Sequence, residues 1–251
     1  MPYLKPSFFI LSLLPLLRLV WLGTHDGLGA NPVEWITRST GTWALVFLCI
    51  TLAMTPLRLL TTWTMWIKMR RMFGLFCFFY AAIHFLIWLW LDQDFDIHAM
   101  MKDVIDRPFI TMGFISFVLL IPLAVTSNQW ALRRLGKYWS ILHKLIYVIA
   151  CTVIAHYWWH KAGKNDVGTV AIYALVIFLL LTFRLPKIKQ FFKDLKLKTL
   201  QPALSEVEQN TKYQSFSSGP PNYVSMGYTD KNLLPKPAYE YKLNNGSVYA
   251  N

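Results

Sequence analysis

The sequence predicts an all-α integral membrane protein, built as a six-helix transmembrane bundle, and three observations predict it. Of 251 residues, 55% are apolar and only 15% are charged. The apolar residues gather in runs of about 17 to 24 rather than in the one-sided stripes of soluble helices. The loops between the runs alternate between basic and acidic, as they do when successive spans cross a membrane in opposite directions.

The first run, Pro6 to Leu22, contains Pro15, which should kink it, and Arg18, which must snorkel or face the bundle interior. A cleavable signal peptide is disfavoured there, because no small-residue cleavage site follows and Lys5 is the only positive flank. The second runs from Ser39 to Leu60 and the third from Met72 to Leu91, with no charged residue between Arg71 and Asp92. The fourth extends from Phe109 to Trp130, the fifth from Trp139 to Trp159 and the sixth from Val167 to Arg184.

Lysine and arginine placement sets the orientation. Fourteen of them fall on one side: Lys5, Arg58, Lys68, Arg70, Arg71, Arg133, Arg134, Lys137, Arg184, Lys187, Lys189, Lys193, Lys196 and Lys198. The opposite loops hold five, Arg38, Lys102, Arg107, Lys161 and Lys164, and the third loop is acidic, with Asp92, Asp94, Asp96, Asp103 and Asp106. Both termini are therefore expected in the cytoplasm.

The net charge of +12 would suggest a nucleic-acid partner in a soluble chain, but here it is inside-facing membrane flank, and no nucleic-acid partner is expected. From Thr199 onward, Lys212, Lys231, Lys236 and Lys242 balance Glu206, Glu208, Asp230 and Glu240. The membrane unit is thus expected over residues 1–198. Residues 199–251, rich in Pro, Ser, Asn, Gly and Tyr, read as a disordered cytoplasmic tail.

Cys49, Cys77 and Cys151 each fall within an expected span, where buried thiols are packing groups. His25 and His98 lie in outer loops. His160 follows His156 by four residues, a helical spacing for two metal ligands, but the sequence supplies no third.

His84, His143 and His156 are different, because an ionisable group inside a membrane is a functional candidate. Hydrogen-bonded packing is one role for them. Another is axial ligation of haem iron, where two imidazoles from facing helices fill both sides of the metal and leave an electron-transfer centre. Measured from the flanking charges at the rise of a helix, His84 lies about 12 Å from the outer boundary, His156 about 8 Å and His143 about 27 Å. If they ligate haem, His84 is expected to pair with His156 at an outer site between helices 3 and 5 of the bundle, and His143 to mark an inner one should a second haem bind.

Four stretches carry a resemblance: GLGANPVEWITRSTGTWAL (27–45), RRMFGLFCFFYAAIHFLIW (70–88), RPFITMGFISFVLLIPLAVTSNQWALRRLGK (107–137) and YWSILHKLIYVIACTVIAHYWW (138–159). In order, loop lengths and all three membrane histidines, they resemble the MsrQ (YedZ) family of the ferric reductase-like transmembrane group. The resemblance covers residues 8 to 195. It implies a b-type cytochrome of the bacterial inner membrane, with haem b on His84 and His156 and a second haem at His143. It implies electrons taken from the quinone pool or a cytosolic flavin reductase and passed to a periplasmic MsrP-type molybdoenzyme that reduces methionine sulfoxide. FMN is also implied, although no phosphate-cradling motif is present. Ferric reductase-type domains usually carry a further histidine near the position of Arg70 or Arg71, and this chain has none there.

Two other classes are weighed. A self-contained ferric or cupric reductase would need a nicotinamide domain, and the chain has no GxGxxG turn after the spans. A cofactor-free transporter or scaffold would show no haem absorbance.

Overall fold

The computed structural model describes residues 3–61, 63–162, 166–217, 240–242 and 248–250. The helices are α1 (Leu4–Thr24), α2 (Pro32–Thr61), α3 (Met65–Ile87), α4 (Ile97–Asp106), α5 (Pro108–Val125), α6 (Gln129–Leu135), α7 (Lys137–Leu142), α8 (Leu145–Ala162), α9 (Gly168–Thr182) and α10 (Pro186–Ser217). A single π-helical turn, Trp88–Asp92, extends α3. Lys164 and most of the expected tail lie outside the described residues.

The protein is an all-α integral membrane protein. Five stretches are long and apolar enough to span: α1, α2, α3 with its π-turn, α5, and α7 with α8. A sixth exists only if α9 is counted with the start of α10 across a bend. On its own α9 has 15 residues, about 22 Å of helix against a hydrocarbon core of about 30 Å. Large apolar side chains are exposed along the spans, such as Ile10, Leu86, Val125 and Phe178, because lipid takes the place that water has around a soluble fold.

The structure differs from the sequence reading at three places. The fourth span ends at Val125, not Trp130. The hydroxyls of Thr126 and Ser127 turn back onto Pro122 O and Leu123 O at 2.6 Å each, and Asn128 caps the separate helix α6 by accepting from the Ala131 N–H. The fifth span is not one regular helix: it breaks at His143–Lys144, where Lys144 N donates to Ile141 O in a tightened turn. Where disorder is expected from Thr199, α10 continues to Ser217, through Leu, Gln, Ala and Glu residues that favour helix.

The chain forms two units, Met1–Lys196 and Leu197–Asn251. In the first, α2 and α3 make the most extensive helix pair and α5 with α8 the next. The α2–α3 seam is aromatic, with Phe47 stacked on Tyr80 at 5.3 Å and on Phe76 at 5.5 Å between centroids. Phe117 of α5 joins it through Phe85 at 4.6 Å. In α5–α8, the Ser116 hydroxyl donates to the Thr152 hydroxyl at 2.7 Å.

Tyr80 also repairs the helix that Pro15 opens. Its hydroxyl accepts from Leu16 N at 3.2 Å and donates to Ser12 O at 2.8 Å. The phenol thereby bridges a backbone donor and a backbone acceptor one turn apart, and α1 is stitched to α3 at its proline. In the second unit, Glu240–Lys242 pairs antiparallel with Val248–Ala250.

Candidate functional site

α3 and α8 carry the two histidines that meet. The rings of His84 and His156 lie 6.2 Å apart between centroids, with their planes at 75°. Each is oriented by backbone. His84 Nδ1 is 2.9 Å from Thr37 O in α2, and His156 Nδ1 is 2.6 Å from Phe109 O in the first turn of α5. A carbonyl only accepts, so both Nδ1 atoms carry the proton and donate it. That fixes the tautomer in which Nε2 keeps its lone pair, the form that binds a metal.

Two glycines make room for the rings. A Cβ at Gly41 of α2 would sit 3.0 Å from His84 Cε1, and one at Gly113 of α5 would sit 2.8 Å from His156 Nδ1. The walls are apolar: the Phe109 ring lies 6.3 Å from His156 and 5.9 Å from His160. A second-layer brace fixes the start of α5. Thr111 Oγ1 donates to Val104 O of α4, and Arg107 pairs with Asp103 at 3.4 Å. Sequence reasoning finds the two histidines but not Thr37, Phe109, Gly41 or Gly113. The two acceptors share a spacing, each lying 47 residues before its histidine.

His143 is not brought to this pair. It caps α7, stacks on Trp139 at 3.9 Å and donates Nδ1–H to Trp139 O at 3.1 Å. Its Nε2 is buried with no hydrogen-bond partner among the described residues, as are Nε and Nη2 of Arg184, whose guanidinium lies 5.7 Å over the Tyr147 ring. His25 stacks on Trp21 at 3.8 Å, and His98 lies in the first turn of α4. Among the described residues no group of three or more His, Cys, Asp or Glu side chains converges. The chemistry of the paired site is therefore that of two imidazoles whose Nε2 atoms keep their lone pairs, set beside the apolar Phe109 ring.

The fold and this site define a class. A family model described as the ferric reductase like transmembrane component matches residues 40–154, which takes in His84 and His143 and ends two residues before His156. Within that class, the chain belongs to the MsrQ family. It is 54% identical to the protein-methionine-sulfoxide reductase heme-binding subunit MsrQ of Bordetella parapertussis, over 72% of this chain and 88% of that protein. It is 56% identical to its counterpart in Ralstonia nicotianae (71% and 82%) and 54% identical to that of Herminiimonas arsenicoxydans (72% and 84%). No solved structure matches the chain.

Proposed function

We propose that His84 and His156 hold one b-type haem, and that the chain is an electron-carrying membrane subunit serving a methionine sulfoxide reductase. The observation that carries this is the ring pair. Two metal–imidazole bonds of about 2 Å each, with the ring radius added at either end, put the centroids about 6 Å apart, and the separation here is 6.2 Å. The donor set fits as well, being two imidazoles whose outer N–H groups are already committed to carbonyls. The relatives named above are described as heme-binding subunits of such a reductase.

When bound, haem supplies a one-electron couple whose potential depends on its axial ligands and their hydrogen bonds. The chain's residues do the rest. His84 and His156 are the residues that would hold the haem iron, one imidazole from each of two facing helices, and with both bound no axial position would be left for dioxygen. Thr37 O and Phe109 O hold the imidazoles in one tautomer and raise their basicity as ligands. Phe109 sets an apolar ring against His156.

Direction follows from charge. With fourteen basic residues on one side and five on the other, both termini face the cytoplasm of a bacterial inner membrane and the two-histidine site lies toward the periplasm. Electrons enter from the quinone pool or a cytosolic flavin reductase and leave to a periplasmic MsrP-type molybdoenzyme. FMN enters this reading only through the family resemblance, and flavin analysis of the purified protein tests it. His143, which faces no second imidazole among the described residues, is the position at which a second haem would have to complete its ligation from elsewhere.

The test is reconstitution. NADH alone should leave the purified protein oxidised, and a flavin reductase or a quinol should reduce it. An MsrP-type enzyme with methionine sulfoxide should then reoxidise it. Rapid reoxidation by ferric citrate, but not by that enzyme, would replace this reading with a ferric or cupric reductase subunit. Reporter fusions after Asn251 should be active in the cytoplasm and those within 92–106 in the periplasm, and the reverse would overturn the electron path.

A further inference from the structure

The two histidine seats are built to one plan. In α2, Thr37 O accepts from His84 and Gly41 stands four residues later; in α5, Phe109 O accepts from His156 and Gly113 stands four residues later. The acceptor-to-histidine spacing is 47 residues in both. Resting on the haem assignment above, we propose that Gly41 and Gly113 are the positioning residues of the two axial imidazoles. Each keeps open the carbonyl that orients the ring and the space that the ring occupies.

The reason lies in helix geometry. Every Cα–Cβ bond tilts toward the helix N-terminus, so a side chain at position i+4 leans back over position i. A side chain at 41 or 113 would therefore cover the face of the helix on which the carbonyl of 37 or 109 is reached from outside. The distances show how tightly. A methyl at 113 would stand 2.8 Å from His156 Nδ1 and 2.9 Å from Cε1, and one at 41 would stand 3.0 Å from His84 Cε1 and 3.1 Å from Nδ1. These contacts are to a flat ring that cannot bend away. It can only rotate or withdraw, and either motion weakens the Nδ1–H bond to the carbonyl and re-aims Nε2.

Gly74 is the internal control. It lies in α3, where an added Cβ would meet Thr51 Cγ2 at 3.6 Å, an ordinary contact remote from either imidazole. All three glycines are in helices, so replacement by Ala raises intrinsic helix propensity at each. A generic backbone effect therefore has the same sign at 41, 74 and 113, whereas an effect on the seats separates 41 and 113 from 74.

The experiment uses the full chain, solubilised from membranes, as wild type, Gly113→Ala, Gly41→Ala, Gly74→Ala and His84→Ala. Haem per protein, the ferric electron paramagnetic resonance spectrum and helical circular dichroism are read on each. In a haem with two axial imidazoles the g-anisotropy follows the angle between the ring planes, 75° here, so it reports imidazole orientation rather than fold. Loss of an outer-layer partner of a metal-bound histidine typically weakens metal binding by about 10- to 100-fold. We expect Gly113→Ala to lose haem affinity at the tenfold end of that range or to shift its g-values, with helical content unchanged. Gly41→Ala should change in the same direction by less, and Gly74→Ala should match wild type. If Gly113→Ala does not accumulate, Gly41→Ala carries the test on the same criteria. Wild-type haem content and g-values in both Gly41→Ala and Gly113→Ala would overturn the proposal while leaving the two histidines as ligands. An equal effect in Gly74→Ala would also overturn it. Full haem with an unchanged spectrum in His84→Ala would instead overturn the haem assignment beneath it.

Discussion

At one end of the bundle the two helix pairs match, and at the other they do not. α2 with α3 and α5 with α8 each deliver one imidazole, one carbonyl acceptor and one glycine, and the two rings meet at 6.2 Å. Thirteen residues before each of these histidines the chain has Arg71 in one pair and His143 in the other. The matched end offers two facing donors. The unmatched end offers a single imidazole whose Nε2 is buried without a partner among the described residues. Two facing imidazoles require a histidine from each half, which among the described residues only the matched end supplies.

The largest expected effect breaks the matched end. His84→Ala and His156→Ala should each abolish haem binding, because either change leaves one axial donor, while His143→Ala should retain the paired centre. Haem quantification on the three purified variants decides it, and a His84→Ala protein with full haem would dissolve the distinction between the ends.

The next effects concern the scaffold beneath each half. Tyr80→Phe removes the hydroxyl that bridges Leu16 N and Ser12 O, leaving buried backbone groups short of partners at a cost of about 1–3 kcal/mol. Ser116→Ala removes the α5–α8 bridge to Thr152, where hydrogen bonds between membrane helices average about 0.6 kcal/mol. Unfolding of the detergent-solubilised variants should rank them in that order. A Ser116→Ala loss larger than that of Tyr80→Phe would show that the α5–α8 half depends more on its polar bridge than the α1–α3 side does.

The smallest effect lies at the end of α8, beyond His156. Lys161 is buried and hydrogen-bonded to exposed Asp166, and that bond, with the lysine's charge, holds the Asp166 carboxyl below its usual range. A lowered carboxyl pKa stabilises fully above the ordinary aspartate value of about 3.9 and loses that contribution as pH falls through the lower folded value. Amide exchange in the last turn of α8 should therefore be slightly faster in Asp166→Asn than in wild type at neutral pH. The difference should close in strong acid, and a gap that widened there would contradict the assigned partner.

Much of this was legible because hydrocarbon is an exacting solvent. Long apolar runs with few charges marked the spans, and the histidine depths placed His84 and His156 at similar levels, where their rings do lie together. What the sequence hid was set by contacts between helices. The end of α5 at Val125 depends on the Thr126 and Ser127 hydroxyls folding back onto carbonyls, and such competition with the ladder has no periodicity to read. The break at His143–Lys144 interrupts an apolar run whose composition is continuous across it. α4 was visible in principle, since Asp96 caps it by accepting from His98 N and Ala99 N, and Ile97, Met101 and Ile105 repeat every four residues. The carbonyls of Thr37 and Phe109 were out of reach because any residue has one. Only the glycines four positions later distinguish them.

The most direct test of the central claim is the optical spectrum of the dithionite-reduced, full-length protein with and without carbon monoxide. If His84 and His156 occupy both axial positions, the reduced bands of a b-type haem appear and carbon monoxide leaves them unchanged. A haem spectrum that shifts on adding carbon monoxide would show an open axial position and contradict the two-imidazole seat.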